Sequence, residues 1–227
     1  MVEEVYLPTR IKPVIGGIEP RIDKNPLVRC TSIPLKEAPY LYSKMVEMCG
    51  SDILVDAHAL VVLNELISAN SCDQALADVC CVNNRLWISK KREDGEEVAV
   101  LAIDIGTTKI AGYLLDIKEY ETIAEDYVVN PQVSLGADVI TRMEKWIDRA
   151  DARDKLRELL VRGLLELIKK MKNKLRLTIK IPLIVVTGNQ VEVQFLLNSD
   201  VRRLATYPFE PVFSGLFFDY STSISID

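Results

Sequence analysis

The sequence predicts an α/β protein, and three stretches carry that expectation. Residues 98–129 hold three strand-like runs separated by short polar turns, the first nearly all apolar and the later ones with apolar alternation. Residues 154–171 repeat apolar side chains at helical spacing, and "IPLIVVTGN" at 181–189 is a short apolar run of the kind a buried strand makes. Together they predict a sheet of three antiparallel strands, continued through two helices into another buried strand, with a smaller α+β unit ahead of it.

Taken in order, residues 1–30 carry four prolines and the Gly16-Gly17 pair, which interrupt every periodic pattern and predict a linker, with a short strand in "VEEVYLP". Irregular chain is expected to continue from Pro26 to Pro39, until "EAPYLYSKMVEMC" turns helical. Asp56 is a suitable N-cap for a helix to Ala69, with Leu60, Leu63, Leu66 and Ile67 at helical spacing. "NNRLWISKKREDGEEVAVLAIDI" predicts two strands joined as a hairpin by the charged turn at Asp94-Gly95. Residues 31–94 thus form the small α+β unit. Beyond it come strands at 98–105, 108–117 and 121–129, a helix from Leu135 to Arg149, and a helix from Asp154 to Met171. The last buries Leu156, Leu159, Leu160, Leu164, Leu167, Ile168 and Met171 on one face. That order of elements is the layer of a ribonuclease H-like fold.

Composition narrows the functions. With 48% hydrophobic and 27% charged residues the chain suits a packed core, and a net charge of −5 argues against a nucleic-acid partner, which would need a basic surface. No apolar stretch is long enough to span a membrane, and "MVEEVYLPTR" lacks the basic head and apolar stretch of a signal peptide, so a cytoplasmic protein with no membrane partner is expected. The five cysteines, Cys30, Cys49, Cys72, Cys80 and Cys81, are odd in number and scattered, and read as reduced thiols. Their spacing matches no iron–sulfur pattern, and Cys72, Cys80 and Cys81 with His58 make no recognisable zinc set. The cations in "KKMKNKLRLTIK" at 169–180 complement a helix C-terminus.

Chemistry concentrates in "AIDIGTTKI". Asp104 closes a strand, Gly106 lets the backbone turn tightly, and Thr107 and Thr108 bring hydroxyls and backbone N–H groups, the donors of a phosphate nest. Asp104 is placed to hold Mg2+, directly or through water, as hard cations at phosphate sites prefer. Farther along, Gly136 and Asp138 read as a capped helix start, with Arg142 spaced to pair with Asp138 at i, i+4. Asn130 and Gln132 suit holding a loop against the cleft. At Thr187, Gly188 and Asn189 a strand turns into a helix, so N–H groups there also face a candidate anion. Ordinary hairpin and loop packing remains the alternative for each of these turns.

Strand, D-x-G-T-T, strand resembles the first phosphate-binding hairpin of the actin, sugar-kinase and heat-shock chaperone ATPase superfamily. "NPQVSLGADVITRM" at 130–143 and "IPLIVVTGNQVEVQFLLNSDVRRLATYPFEPVF" at 181–213 resemble a narrower family within it, the ferredoxin-linked reductive activators of corrinoid proteins. The segment "ILVDAHALVVLNELISANS...NNRLWISKKREDGEEV" is similar to the middle domain of those activators, so the resemblance spans roughly 31–213. It implies a linker at 1–30, a middle α+β domain at 31–94, and the N-terminal lobe of an actin-like ATPase, incomplete, at 95–227. ATP and Mg2+ are the implied cofactors. Asp104 is the implied catalytic and metal residue, and Gly106, Thr107, Thr108, Thr187, Gly188 and Asn189 are the nucleotide contacts.

Two departures qualify the resemblance. The family's cysteine-ligated ferredoxin domain is absent, so no iron–sulfur cluster is expected on this chain, and the second phosphate loop and adenosine-binding half do not follow. The closing residues match no part of the family pattern. The implied function is ATP-dependent reduction of a corrinoid methyl carrier from Co(II) to Co(I) by a partial or split member, working with a corrinoid protein and with a separately encoded ferredoxin and second ATPase half. A decayed remnant, and a non-catalytic module that docks a corrinoid protein or forms a homodimer, stay open as alternatives. A sugar or carboxylate kinase is disfavoured, since no aspartate is evident to act as base toward a hydroxyl substrate.

Overall fold

A computed structural model describes residues 28–34, 41–55, 57–69, 76–82, 84–90, 97–117, 119, 121–175 and 179–213. The expected strand in "VEEVYLP", the Asp56 cap and the closing residues lie outside this set. Within it the chain builds two sheets, and the α/β expectation holds.

The first sheet has the order β1-β2-β3, all antiparallel, from β1 (Val28–Pro34), β2 (Leu76–Val82) and β3 (Arg85–Lys90). Helices α1 (Leu41–Cys49) and α2 (Ala57–Ala69) accompany it. Ala77, Val79 and Cys81 of β2 pack with Met45, Cys49 and Ala59 of the helices, while Cys80 and Val82 pack on its other side with Val98. Covered on both faces, "LADVCCV" has no polar face to alternate with its apolar one, so its sequence carries no strand signature. The expected irregular stretch from Pro26 to Pro39 contains β1, because both prolines flank the strand and Pro34 ends it. Of the four residues expected at helical spacing on α2, Leu63 packs on the core with Ala59 and Val62, Leu60 is exposed, and the side chains of Leu66 and Ile67 lie outside the described set.

Cys30 and Cys80 stand directly opposite one another in the β1–β2 register, with Cα atoms 4.0 Å apart, and are joined as a disulfide. That corrects the reading of all five cysteines as reduced thiols: spacing along the chain does not reveal which residues a register brings together. Cys49 and Cys81 are free and buried, and burial, then the neighbouring Cys81, pushes the Cys49 thiol up to about 12.

The second sheet has the order β6-β5-β4-β7, from β4 (Glu97–Ile105), β5 (Lys109–Asp116), β6 (Thr122–Val129) and β7 (Ile179–Gly188). Strands β4, β5 and β6 form an antiparallel meander, and β7 returns parallel to β4. The return runs through a 3-10 turn at Pro131–Ser134 and helices α3 (Val139–Asp148) and α4 (Ala150–Lys174), the crossover that a parallel pair requires. A short helix α5 (Gln190–Leu196) follows β7. Strands β3 and β4 belong to different sheets, so the segment containing Asp94-Gly95 links two sheets and is not the tip of a hairpin.

All seven residues expected on the buried face of α4 are buried, against Leu101, Ile103, Ile105, Ile110 and Leu114 of the sheet. A Cβ on Gly163 of α4 would meet Pro131 Cδ at 2.8 Å and Ile110 Cδ1 at 2.9 Å, so the helix approaches the sheet as closely as a bare Cα allows. Lys170 and Lys174 of the basic cluster grip Asp126 of β6 at 2.7 and 2.6 Å. Burial would raise the Asp126 carboxyl, but these two lysines hold it below the usual carboxylate range. The two sheets meet at Val28, Val82, Val98, Trp87 and Leu183, and Lys180 of β7 pairs with Asp78 of β2 at 3.5 Å.

Candidate functional site

The register puts both expected turns at one end of the second sheet. Asp104 is level with Thr187, and Ile105 with Gly188, across the parallel β4–β7 pair. Between β4 and β5 the chain reverses at Gly106, whose N–H donates to the Lys109 carbonyl at 2.8 Å. A Cβ on Gly106 would lie 2.8 Å from that same oxygen, so only glycine closes the turn without displacing backbone.

Three consecutive carbonyls of the turn are held from one side. The Gly106 oxygen accepts from Asn130 Nδ2 at 3.0 Å, the Thr107 oxygen from Arg142 Nη2 at 2.6 Å, and the Thr108 oxygen from the Asn130 N–H at 2.8 Å. Asn130 and Arg142 belong to one buried network, since both also donate to Gln132 Oε1, at 3.2 and 3.4 Å. Gln132 Nε2 donates in turn to the Leu156 carbonyl, which ties the network to α4. The peptide bonds here are trans, and in a trans peptide the C=O and the following N–H point in opposite directions. With the Gly106 and Thr107 carbonyls drawn inward, the Thr107 and Thr108 N–H groups therefore face away from the network. Neither has an acceptor among the described residues. Successive outward N–H groups of this kind are the donor set of an anion nest.

A cleft of about 320 Å3 adjoins the turn, lined by Asp104, Gly106, Thr108, Lys109, Tyr113 and Glu125 among others. It opens on the sheet face opposite α4, where Asp104 sits exposed. Glu125 is 2% exposed, and its Oε1 has no hydrogen-bond partner among the described residues. Burial first, then the Glu125 and Asp104 carboxylates, pushes the Tyr113 phenol above its ordinary value. On the other side Lys109 Nζ lies 4.8 Å from the centre of the Tyr127 ring. Two carboxylates beside an anion nest repel a bare polyphosphate and favour one carrying a divalent cation.

Of the residues expected from sequence, Asp104, Gly106 and Thr108 line the cleft, whereas Thr187, Gly188 and Asn189 stand beside it on the neighbouring strand end. The Asn189 side chain is committed as the N-cap of α5, accepting from the Glu192 N–H at 3.0 Å. Asp138 caps α3 as expected, accepting from the Thr141 N–H and hydroxyl. Arg142 does not pair with it. The guanidinium turns inward and is wholly buried, donating to Glu192 at 2.6 Å and to the Gly136 carbonyl at 2.9 Å. Burial pushes the Glu192 carboxyl up to about 7 against the pull of Arg142. Glu192 was missed from sequence, its signal being only an acid in the first turn of a short helix.

Fold and site together define an α/β lobe with a glycine turn of outward N–H groups and a carboxylate at its mouth. The model of the family described as "RACo middle region" matches residues 99–227, more than half of the chain. The chain belongs to that family. The match falls on the unit expected above to be the ATPase lobe, begins just beyond the unit expected to be the middle domain, and runs through the closing residues that fitted no pattern.

Over 110 residues the chain is 30% identical to "Corrinoid activation enzyme RamQ" of Eubacterium limosum, covering 48% of this chain and 18% of that protein. The solved structure of "Reductive activator for corrinoid,iron-sulfur protein" shares its fold, with a TM-score of 0.68, 23% identity, and coverage of 86% of this chain and 33% of that one. The chain thus spans between about a fifth and a third of the length of these relatives. Among the described residues no helix is long and apolar enough to cross a membrane, and no group of three His, Cys, Asp or Glu side chains is placed to hold a metal.

Proposed function

We propose that this chain supplies one wall of a Mg–ATP site in the ATP-dependent reductive activation of a corrinoid protein. The observation that carries the reading is the pair of outward N–H groups at Thr107 and Thr108, next to the exposed carboxylate of Asp104. Those donors, with the backbone at Gly106, would hold phosphate oxygens, and Asp104 would hold Mg2+ through water. Thr187 and Gly188, level with Asp104 and Ile105, would border the same nucleotide. The relatives' printed roles, corrinoid activation and reductive activation of a corrinoid iron–sulfur protein, support the corrinoid as the target.

In this reading a ferredoxin on another polypeptide or segment gives one electron to Co(II), making Co(I). Bound Mg–ATP would supply the free energy for that uphill transfer, about 1.4 kcal/mol for each 59 mV of deficit. This chain's own part is to orient the phosphates and the ion. Titration calorimetry with Mg–ATP tests it: the wild type takes up nucleotide, and Asp104→Ala loses at least tenfold in affinity. No heat from either protein would instead favour a docking module without nucleotide.

A further inference from the structure

Arg142 and Glu192 have no place in the nucleotide reading so far, yet they form a fully buried ion pair a few bonds from both turns. Each side chain is 0% exposed, and their contact is 2.6 Å. Such a pair is costly to bury, and packed apolar groups often serve stability as well or better. What this pair adds is connection. Arg142 is anchored at the start of α3, Glu192 lies in the first turn of α5 directly behind Thr187, Gly188 and Asn189, and Arg142 Nη2 reaches the Thr107 carbonyl of the other turn.

We propose that Arg142, braced by Glu192, is a positioning residue of the nucleotide site: it fixes the Thr107–Thr108 peptide so that the Thr108 N–H faces the ligand, and it locks the β4–β5 turn to the start of α5. The inference rests on the nucleotide reading for its biological meaning, but the peptide orientation does not. Arg142 is not itself a phosphate ligand. It is buried, and four hydrogen bonds, to Gly136, Gln132, Glu192 and Thr107, occupy four of the five N–H groups a guanidinium has. Lysine cannot replace it. A single ammonium on a flexible stem can satisfy Glu192 but lacks the rigid fork needed to reach Thr107 at the same time.

The test compares wild type, Arg142→Lys, Glu192→Gln and Leu160→Ala, the last a core variant of α4 that lowers stability and removes none of the network's side chains. Two quantities are measured on each: the Kd for Mg–ATP, and the NMR shift and hydrogen exchange of the Thr108 amide in the free protein. In Arg142→Lys the Thr108 amide moves and the Kd rises at least tenfold. Glu192→Gln changes both in the same direction by less, and Leu160→Ala changes neither. An unmoved Thr108 amide in Arg142→Lys, or a loss of affinity equalled by Leu160→Ala, overturns the proposal. If Arg142→Lys does not fold, Glu192→Gln decides, and wild-type values of both quantities in it overturn the proposal. If the wild type binds no Mg–ATP, the nucleotide reading fails separately, and the amide alone judges Arg142.

Discussion

Glu192 shows how one side chain can be costly and still useful. Its carboxyl is raised from 4.5 to about 7 by burial, so between those pH values the folded protein holds a proton there that the unfolded chain has released. A raised acid stabilises the fold at low pH, and that contribution is lost as pH rises from about 4.5 through about 7. Asp126, lowered by its two lysines, has the opposite sign, losing its contribution as pH falls. The difference between wild type and Glu192→Gln isolates the first effect. Denaturant unfolding of both should show wild type losing stability relative to the variant between pH 4.5 and 7, on the order of 3 kcal/mol over the full span. A flat difference would mean that Arg142 holds Glu192 ionised throughout. At this scale the sequence was legible only where the geometry is local. Asp104, Gly106 and Thr108 were readable because a turn declares itself in consecutive residues. Arg142 was assigned to Asp138, four residues back, whereas its partner lies 50 residues on, reached only through the β7 crossover.

Helix α4 and its sheet were legible for the converse reason. A helix with one covered face must repeat every 3.6 residues, and the seven residues expected on that face do so from Leu156 to Met171, while Leu165 falls off the stripe and is exposed. One face of β4, β5 and β6 packs on α4, and the start of β4 is apolar on its other face too, where Val98 and Val100 pack toward the first sheet. Strand β2 failed that test, being buried on both sides, and β1 hid between prolines. The β3–β4 hairpin was inferred from a good turn signal, but a turn signal does not say whether its flanking strands pair or part. Gly163 yields an element-scale prediction in which two effects compete. Replacing it by alanine gains about 1 kcal/mol of helix propensity. The added methyl would fall 2.8 Å from the ring of Pro131, which cannot swing away, and 2.9 Å from Ile110. Overpacking of this kind costs about 1–3 kcal/mol, so Gly163→Ala should lower the melting temperature. A rise would show that the Pro131 turn gives way easily.

For the molecule as a whole, the two sheets share an apolar seam and the Lys180–Asp78 pair, while the candidate site lies at the turn end of the second sheet. This chain matches only a part of each relative, and the roles printed for those relatives belong to the whole proteins. By itself the chain should bind Mg–ATP without turning it over. Phosphate release, followed on addition of a candidate partner bearing the second lobe, should appear only in the mixture. Turnover by the chain alone would contradict the division of the cleft. All of this depends on the turn after β4 offering its N–H groups to phosphate. An amide-resolved NMR titration of the wild-type chain with Mg–ATP tests it most directly. Saturable downfield shifts of the Thr107 and Thr108 amides are expected, with the amides at the C-terminal end of α4 unmoved. Saturating nucleotide that leaves both threonine amides in place would contradict it.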